Sequence, residues 1–98
     1  MTKIGFVGAG TVGSALAIRL AEQGYPIVAV SSRNQSSAGK LAGRIVHCRV
    51  AEKNQEVAEF ADLVFITTPD DAIASVVNAM HWRSGQMVVH GNGASSTD

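Results

Sequence analysis

Ile4-Gly5-Phe6-Val7-Gly8-Ala9-Gly10-Thr11-Val12-Gly13 is an apolar run that breaks into glycines and then changes period. Ile4 to Val7 is short and continuously apolar, as a strand buried on both faces must be. From Thr11 the spacing is helical: Val12, Ala15, Leu16, Arg19 and Leu20 recur at three and four, Glu22 and Gln23 fall outside the stripe, and Gly24 stands where a helix stops. A helix is therefore predicted over Thr11 to Gln23. Beyond Pro26, Ile27-Val28-Ala29-Val30 is a second β-branched run, closed by the polar stretch Ser31 to Ser37. Strand, helix and strand within about 30 residues is the length of a βαβ unit.

The pattern continues outward. Ala38, Leu41, Ala42 and Ile45 make a thin helical stripe, and Ile45 to Val50 alternates, with Val46, Cys48 and Val50 on one side and His47 and Arg49 on the other. Such alternation predicts a third strand at a sheet edge, buried more on one face than the other. Val57, Phe60 and Ala61 mark a short helix, and Leu63-Val64-Phe65-Ile66-Thr67 is the most apolar strand candidate. After Pro69, either Asp70 or Asp71 is placed to cap a helix carrying Ile73, Val76, Val77 and Met80 at i, i+3, i+4 and i+7. Trp82 to Gly85 turns the chain, and Gln86 to His90 reads as the last strand. Five strands alternating with four helices, without a hairpin signal, predict an α/β fold: a doubly wound, parallel five-stranded sheet in the order 3-2-1-4-5.

Ninety-eight residues suit one domain, spanning 1–98, and any function that needs two domains cannot be completed by this chain alone. With 46% hydrophobic and 16% charged residues the composition is that of a packed core and not of a disordered segment. Eight Lys plus Arg against eight Asp plus Glu leave no basic excess for nucleic acid or anionic lipid. One cysteine, Cys48, can make neither an internal disulfide nor a Cys-based zinc site, and no metal site is expected. No apolar run approaches the roughly 18 residues of a membrane span. The expected location is cytoplasmic.

Gly8-Ala9-Gly10-Thr11-Val12-Gly13 is a G-x-G-x-x-G between a buried strand and an amphipathic helix. Glycines also make merely tight turns, but this context is the one a dinucleotide site requires. Gly8 would permit the turn, Gly10 would let the backbone approach a pyrophosphate, and Gly13 would let helix and strand pack closely. The amides of Gly10, Thr11 and Val12 would face the anion from a helix N-terminus. At the end of the second strand, where NAD sites usually carry an acid, stands Ser31-Ser32-Arg33-Asn34, and no acid occurs from Ser31 to Gly43. Hydroxyls and a guanidinium suit a 2′-phosphate, so NADP(H) is the expected cofactor, unless Arg33 is an ordinary solvated loop residue. Thr67, Thr68 and Pro69 fall near the switch point of the sheet, where the threonines would line the centre of the cofactor. His90, at the tip of the last strand, is a candidate proton carrier or a satisfied structural histidine. His47 and His81 read as surface residues, Cys48 as a buried apolar one, and Trp82 as a packing lid.

Lys3 to Gly13, Ser32-Arg33, the block Asp62 to Ile73, and Trp82-Arg83-Ser84-Gly85-Gln86-Met87-Val88-Val89-His90 together resemble one group. It comprises the N-terminal, Rossmann-like domain of NADP-dependent oxidoreductases whose second half is a helical domain of unknown function, similar to pyrroline-5-carboxylate reductase and to the 6-phosphogluconate and β-hydroxyacid dehydrogenases. The resemblance implies that Gly8, Gly10, Thr11, Val12 and Gly13 hold the pyrophosphate, Ser32 and Arg33 the 2′-phosphate, and Thr67 to Pro69 the ribose near the nicotinamide. It implies hydride transfer with a small-molecule carbonyl, imine or hydroxyl substrate, and homo-oligomerisation through a C-terminal domain that this chain lacks, so the isolated chain is expected to be inactive. Asn92-Gly93-Ala94 stands where Ser-Gly-Ala is usual. A non-catalytic dinucleotide-sensing module is the alternative, as is a fold whose site is empty.

Overall fold

Apolar side chains along the central strands point alternately to two faces of one sheet. In the computed structural model, residues 2–67, 70–90 and 93–94 are described, with backbone alone at 11, 12, 70–74, 90, 93 and 94. The strands β1 (Ile4–Val7), β2 (Ile27–Ser31), β3 (Arg49–Val50), β4 (Leu63–Ile66) and β5 (Met87–His90) run parallel in the order 3-2-1-4-5. The helices α1 (Thr11–Glu22), α2 (Gln35–Ala42), α3 (Asn54–Phe60) and α4 (Asp70–Ala79) are the crossovers. Ile4 and Phe6 of β1 pack with Ala17 of α1 and Ala38 and Leu41 of α2 on one face. Val7, with Val64 and Ile66 of β4, packs with Val57 and Ala58 of α3 on the other face, joined by Val76 and Val77 of α4. Phe6 is fully buried, and its ring stacks on Phe65 with centroids 4.9 Å apart, a pairing that adds about 0.5–1.5 kcal/mol to burial alone. Gly5 has a structural reason of its own: a Cβ there would run into Val57 Cγ1 and lie 3.1 Å from Ala61, so α3 comes this close to β1 only over a glycine.

α1 ends at Glu22, one residue short of the expected stop, and Gly24 takes φ 94° as a C-terminal glycine does. The third strand differs more. Instead of six alternating residues only Arg49 and Val50 pair, against Ala29 and Val30, and both are exposed. The preceding residues make turns, with Arg44 N donating to Leu41 O, Ile45 N to Ala42 O and Cys48 N to Ile45 O. Val46 is 79% exposed and His47 has φ 65°, so no common face exists for Val46, Cys48 and Val50. Ile45 is buried as a plug under α1 and α2, and the edge position of β3 stands as expected. Beyond the five expected parallel strands the sheet has a sixth: β6 (Gly93–Ala94) pairs antiparallel with β5, Val89 opposite Ala94 and His90 opposite Gly93, and covers an otherwise bare edge. Helix α4 already includes Asp70, so both aspartates lie in its first turn, where the helix dipole favours a negative charge, and not at the flanking cap position.

Candidate functional site

The carboxyl ends of β1, β2, β4 and β5 share one edge of the sheet, and the strand order reverses between β1 and β4. Ligands of doubly wound sheets bind at this crevice. Gly8 leaves β1 with φ 105°, and a Cβ on it would lie 2.9 Å from Thr67 Oγ1. A Cβ on Gly13 would collide with the same Thr67 Oγ1 and lie 3.1 Å from Gly8 O. These two glycines therefore serve the contact between loop, α1 and the end of β4. Gly10 is different: it is exposed, and among the described residues, its chain neighbours aside, no atom lies within 4 Å of where its Cβ would be.

Gly10 is also the N-cap of α1, in extended conformation, with no side-chain cap and no acid in the first turn. Ser14 N donates to Gly10 O at 2.8 Å and begins the helical ladder. Among the described residues no side chain accepts from the amides before it, and free amides at a helix N-terminus, together with the helix dipole, suit an anion. Helix α2 starts at the same edge and is sealed, because Asn34 Oδ1 accepts from Ser36 N at 3.0 Å and Ser37 N at 3.4 Å. Asn34, inside the polar stretch Ser31 to Ser37, is a cap that its place before a polar first turn makes legible in the sequence.

The loop after β2 is fastened to the glycine loop by Gly8 N donating to Ser31 O at 2.7 Å. Ser31 is buried and donates to Asn54 Oδ1 at 2.7 Å, so its hydroxyl is spent within the fold. Ser32 Oγ accepts from Asn34 N at 3.2 Å and keeps its own proton to donate. Arg33 is exposed, and the one ion pair among the described residues, Arg83 with Asp62, does not involve it. Thr67 N donates to Val7 O at 2.8 Å, and its hydroxyl lies 3.1 Å from Gly8 O and 3.3 Å from Val7 O. Thr67 thus braces the loop, a role its sequence position did not signal. The backbones of Thr11 and Val12 open α1, and their side chains lie outside the described residues, as do Thr68 and Pro69 entirely. His90 ends β5 with Ile66 of β4 as its register partner, and its side chain too lies outside the described residues.

His47 and His81 are exposed. Burial pushes the Cys48 thiol up to about 11, so it is no thiolate at neutral pH. Trp82 is half-buried against the α3 and α4 core, and its Nε1 donates to Val77 O at 3.2 Å. Among the described residues no three His, Cys, Asp or Glu side chains gather as metal ligands, and no helix is long and apolar enough to cross a membrane.

A family model described as NADP oxidoreductase, coenzyme F420-dependent, matches residues 3–90. The 2-(hydroxymethyl)glutarate dehydrogenase of Eubacterium barkeri is 33% identical over 75 residues, which are 76% of this chain and 24% of that protein. A Bacteroides fragilis protein assigned as an NADP oxidoreductase superposes with TM-score 0.77 at 32% identity, over 91% of this chain and 35% of the other. An imine reductase from Pseudomonas sp. gives TM-score 0.77 at 25% identity, over 91% of this chain and 31% of its own. The chain thus spans between a quarter and about a third of the length of these relatives.

Proposed function

The chain belongs to the family of NADP oxidoreductases described as coenzyme F420-dependent, and we propose that it is the domain that holds NADP(H) for hydride transfer to or from a small carbonyl, imine or hydroxyl substrate. The observation that carries this reading is the N-terminus of α1, which no described side chain caps and where, among the described residues beyond its chain neighbours, nothing lies within 4 Å of a Cβ placed on Gly10. The amides of Gly10, Thr11, Val12 and Gly13 bind the pyrophosphate there, while Gly8 and Gly13 keep the loop against Thr67. Ser32 donates its proton and Arg33 its guanidinium to the 2′-phosphate, unopposed by any acid between Ser31 and Gly43. Thr67, Thr68 and Pro69 border the ribose near the nicotinamide, and Thr67 acts there as a brace. The bound nicotinamide supplies or accepts the hydride. The relatives' names differ in the other reactant, a hydroxy acid in one and an imine in another, and agree in oxidoreduction. Substrate choice, and oligomerisation with it, is therefore assigned to the parts of the relatives that this chain does not span, and His90 is at most a proton carrier at the rim. A cytoplasmic location, with Cys48 reduced, fits this role.

Titration of the chain with NADPH and NADH, followed by reduced-nicotinamide emission, tests the assignment. NADPH is expected to bind more tightly, and Arg33→Asp to cost about tenfold or more of that affinity, since a charge-assisted hydrogen bond contributes about 1.5–3 kcal/mol. Equal affinities before and after the substitution would remove Arg33 from the site.

A further inference from the structure

Helices α1 and α2 lie side by side on one face of the sheet without closing the groove between them. Two cavities occupy it and share Ile18 and Arg44. The larger, about 460 Å³, lies toward the start of β2, with Ala21, Tyr25, Ile45 and Val46 in its wall. The smaller, about 150 Å³, lies behind the glycine loop, between Ala9, Ser14, Ser37 and Lys40. The larger volume is in the range of small-molecule sites, roughly 300–1,000 Å³. Both cavities mix polar and apolar groups: in the larger, Ile18, Tyr25 and Ile45 stand beside Glu22 and Arg44, and in the smaller, Lys40 and Arg44 stand beside Ile18 and Leu41. Tyr25 is 48% exposed and lines the larger cavity.

Charge points the same way. From Thr11 to Arg44 the chain carries Arg19, Arg33, Lys40 and Arg44 against a single acid, Glu22, whereas Glu52, Glu56 and Glu59 belong to α3 and the turn before it, on the opposite face. Neither Lys40 nor Arg44 forms an ion pair among the described residues. Glu22 borders the larger cavity only, and Arg44 stands where the two meet. We propose that this groove binds a small amphipathic anion, a carboxylate, sulfonate or phosphate on an apolar body. Its head lies between Lys40 and Arg44 and its body against Ile18, Ala21 and Tyr25. The site is separate from the open N-terminus of α1 and does not depend on what binds there.

The test uses the 98-residue chain with 8-anilinonaphthalene-1-sulfonate, whose emission rises in apolar surroundings, and decanoate as competitor. Saturable binding is expected, displaced by decanoate and not by saturating NADPH. Arg44→Glu, at an exposed position, should weaken it about tenfold through loss of a charge-assisted contact, and Ala21→Phe should weaken it by filling the cavity. Lys53→Glu, on the other face, changes total charge equally and should leave it unaltered. Circular dichroism checks that each variant is folded. Absence of saturable binding, displacement by NADPH as complete as by decanoate, or unchanged affinity in either folded groove variant would overturn the proposal.

Discussion

Gly10 and Gly13 stand three residues apart, and a methyl group added at each would meet different surroundings. At Gly13 it meets Thr67 Oγ1, so Gly13→Ala must push α1 away from the end of β4. Such overpacking is expected to lower stability by about 1–3 kcal/mol. At Gly10 the methyl meets no atom of the described residues beyond its chain neighbours. Gly10→Ala should shift stability by less than about 1 kcal/mol, the usual difference between these residues at an N-cap, yet weaken NADPH binding by crowding the anion's approach. Urea denaturation and cofactor titration of the two variants separate fold from site; equal stability losses in both would contradict the division of roles. The glycine pattern was legible because its spacing is local. Thr67, which both Gly8 and Gly13 touch, was not legible in this role, because the contact spans more than 50 residues of sequence and arises only when β4 pairs with β1.

At the scale of elements, the tract from His81 to Gln86 ties α3 and β4 to the start of β5. Gln86 Nε2 donates to Ala58 O at 2.6 Å and Ala61 O at 2.8 Å, and Arg83 donates to the same two oxygens at 3.3 and 2.8 Å. Gln55 exchanges two hydrogen bonds with the backbone of His81. These side chains satisfy carbonyls at the C-terminus of α3 that the seven-residue helix leaves unpaired. Because each oxygen keeps one donor when only one side chain is removed, Arg83→Ala and Gln86→Ala should each cost about 1 kcal/mol and the double variant more than their sum. A strictly additive cycle in urea denaturation would rule out the shared cap. The block Trp82 to His90 is one of those that carry the family resemblance, and Arg83 and Gln86 within it have a local, structural purpose. The elements that could be read from sequence were those long enough to show a period, α1 and α4 above all. β3 and β6 have two residues each, too few to carry one, and the alternation at 45–50 came from a turn that buries Ile45 and exposes Val46.

For the whole molecule, neutrality conceals a division: the face built from α1 and α2 is basic and the face of α3 acidic, a distribution that composition cannot display. Of the exposed large apolar side chains among the described residues, Tyr25 and Val46 share the larger cavity, while Val50, Phe60 and Met87 lie on β3, α3 and β5. The Arg49 guanidinium sits 4.3 Å from the centre of the Phe60 ring and covers part of it. Fold class and strand order were readable because right-handed crossovers and buried parallel strands leave few alternatives. The substrate was not readable, and the relatives this chain matches are themselves named for different reactants. The open N-terminus of α1 is the proposed pyrophosphate site of NADP(H). Its most direct test is the change in amide ¹H–¹⁵N shifts when NADP⁺ is added to the labelled chain. The largest changes are expected at Gly10 to Gly13, with a second group at Ser32 and Arg33. Saturable binding that leaves the amides of Gly10 to Gly13 unmoved would contradict it.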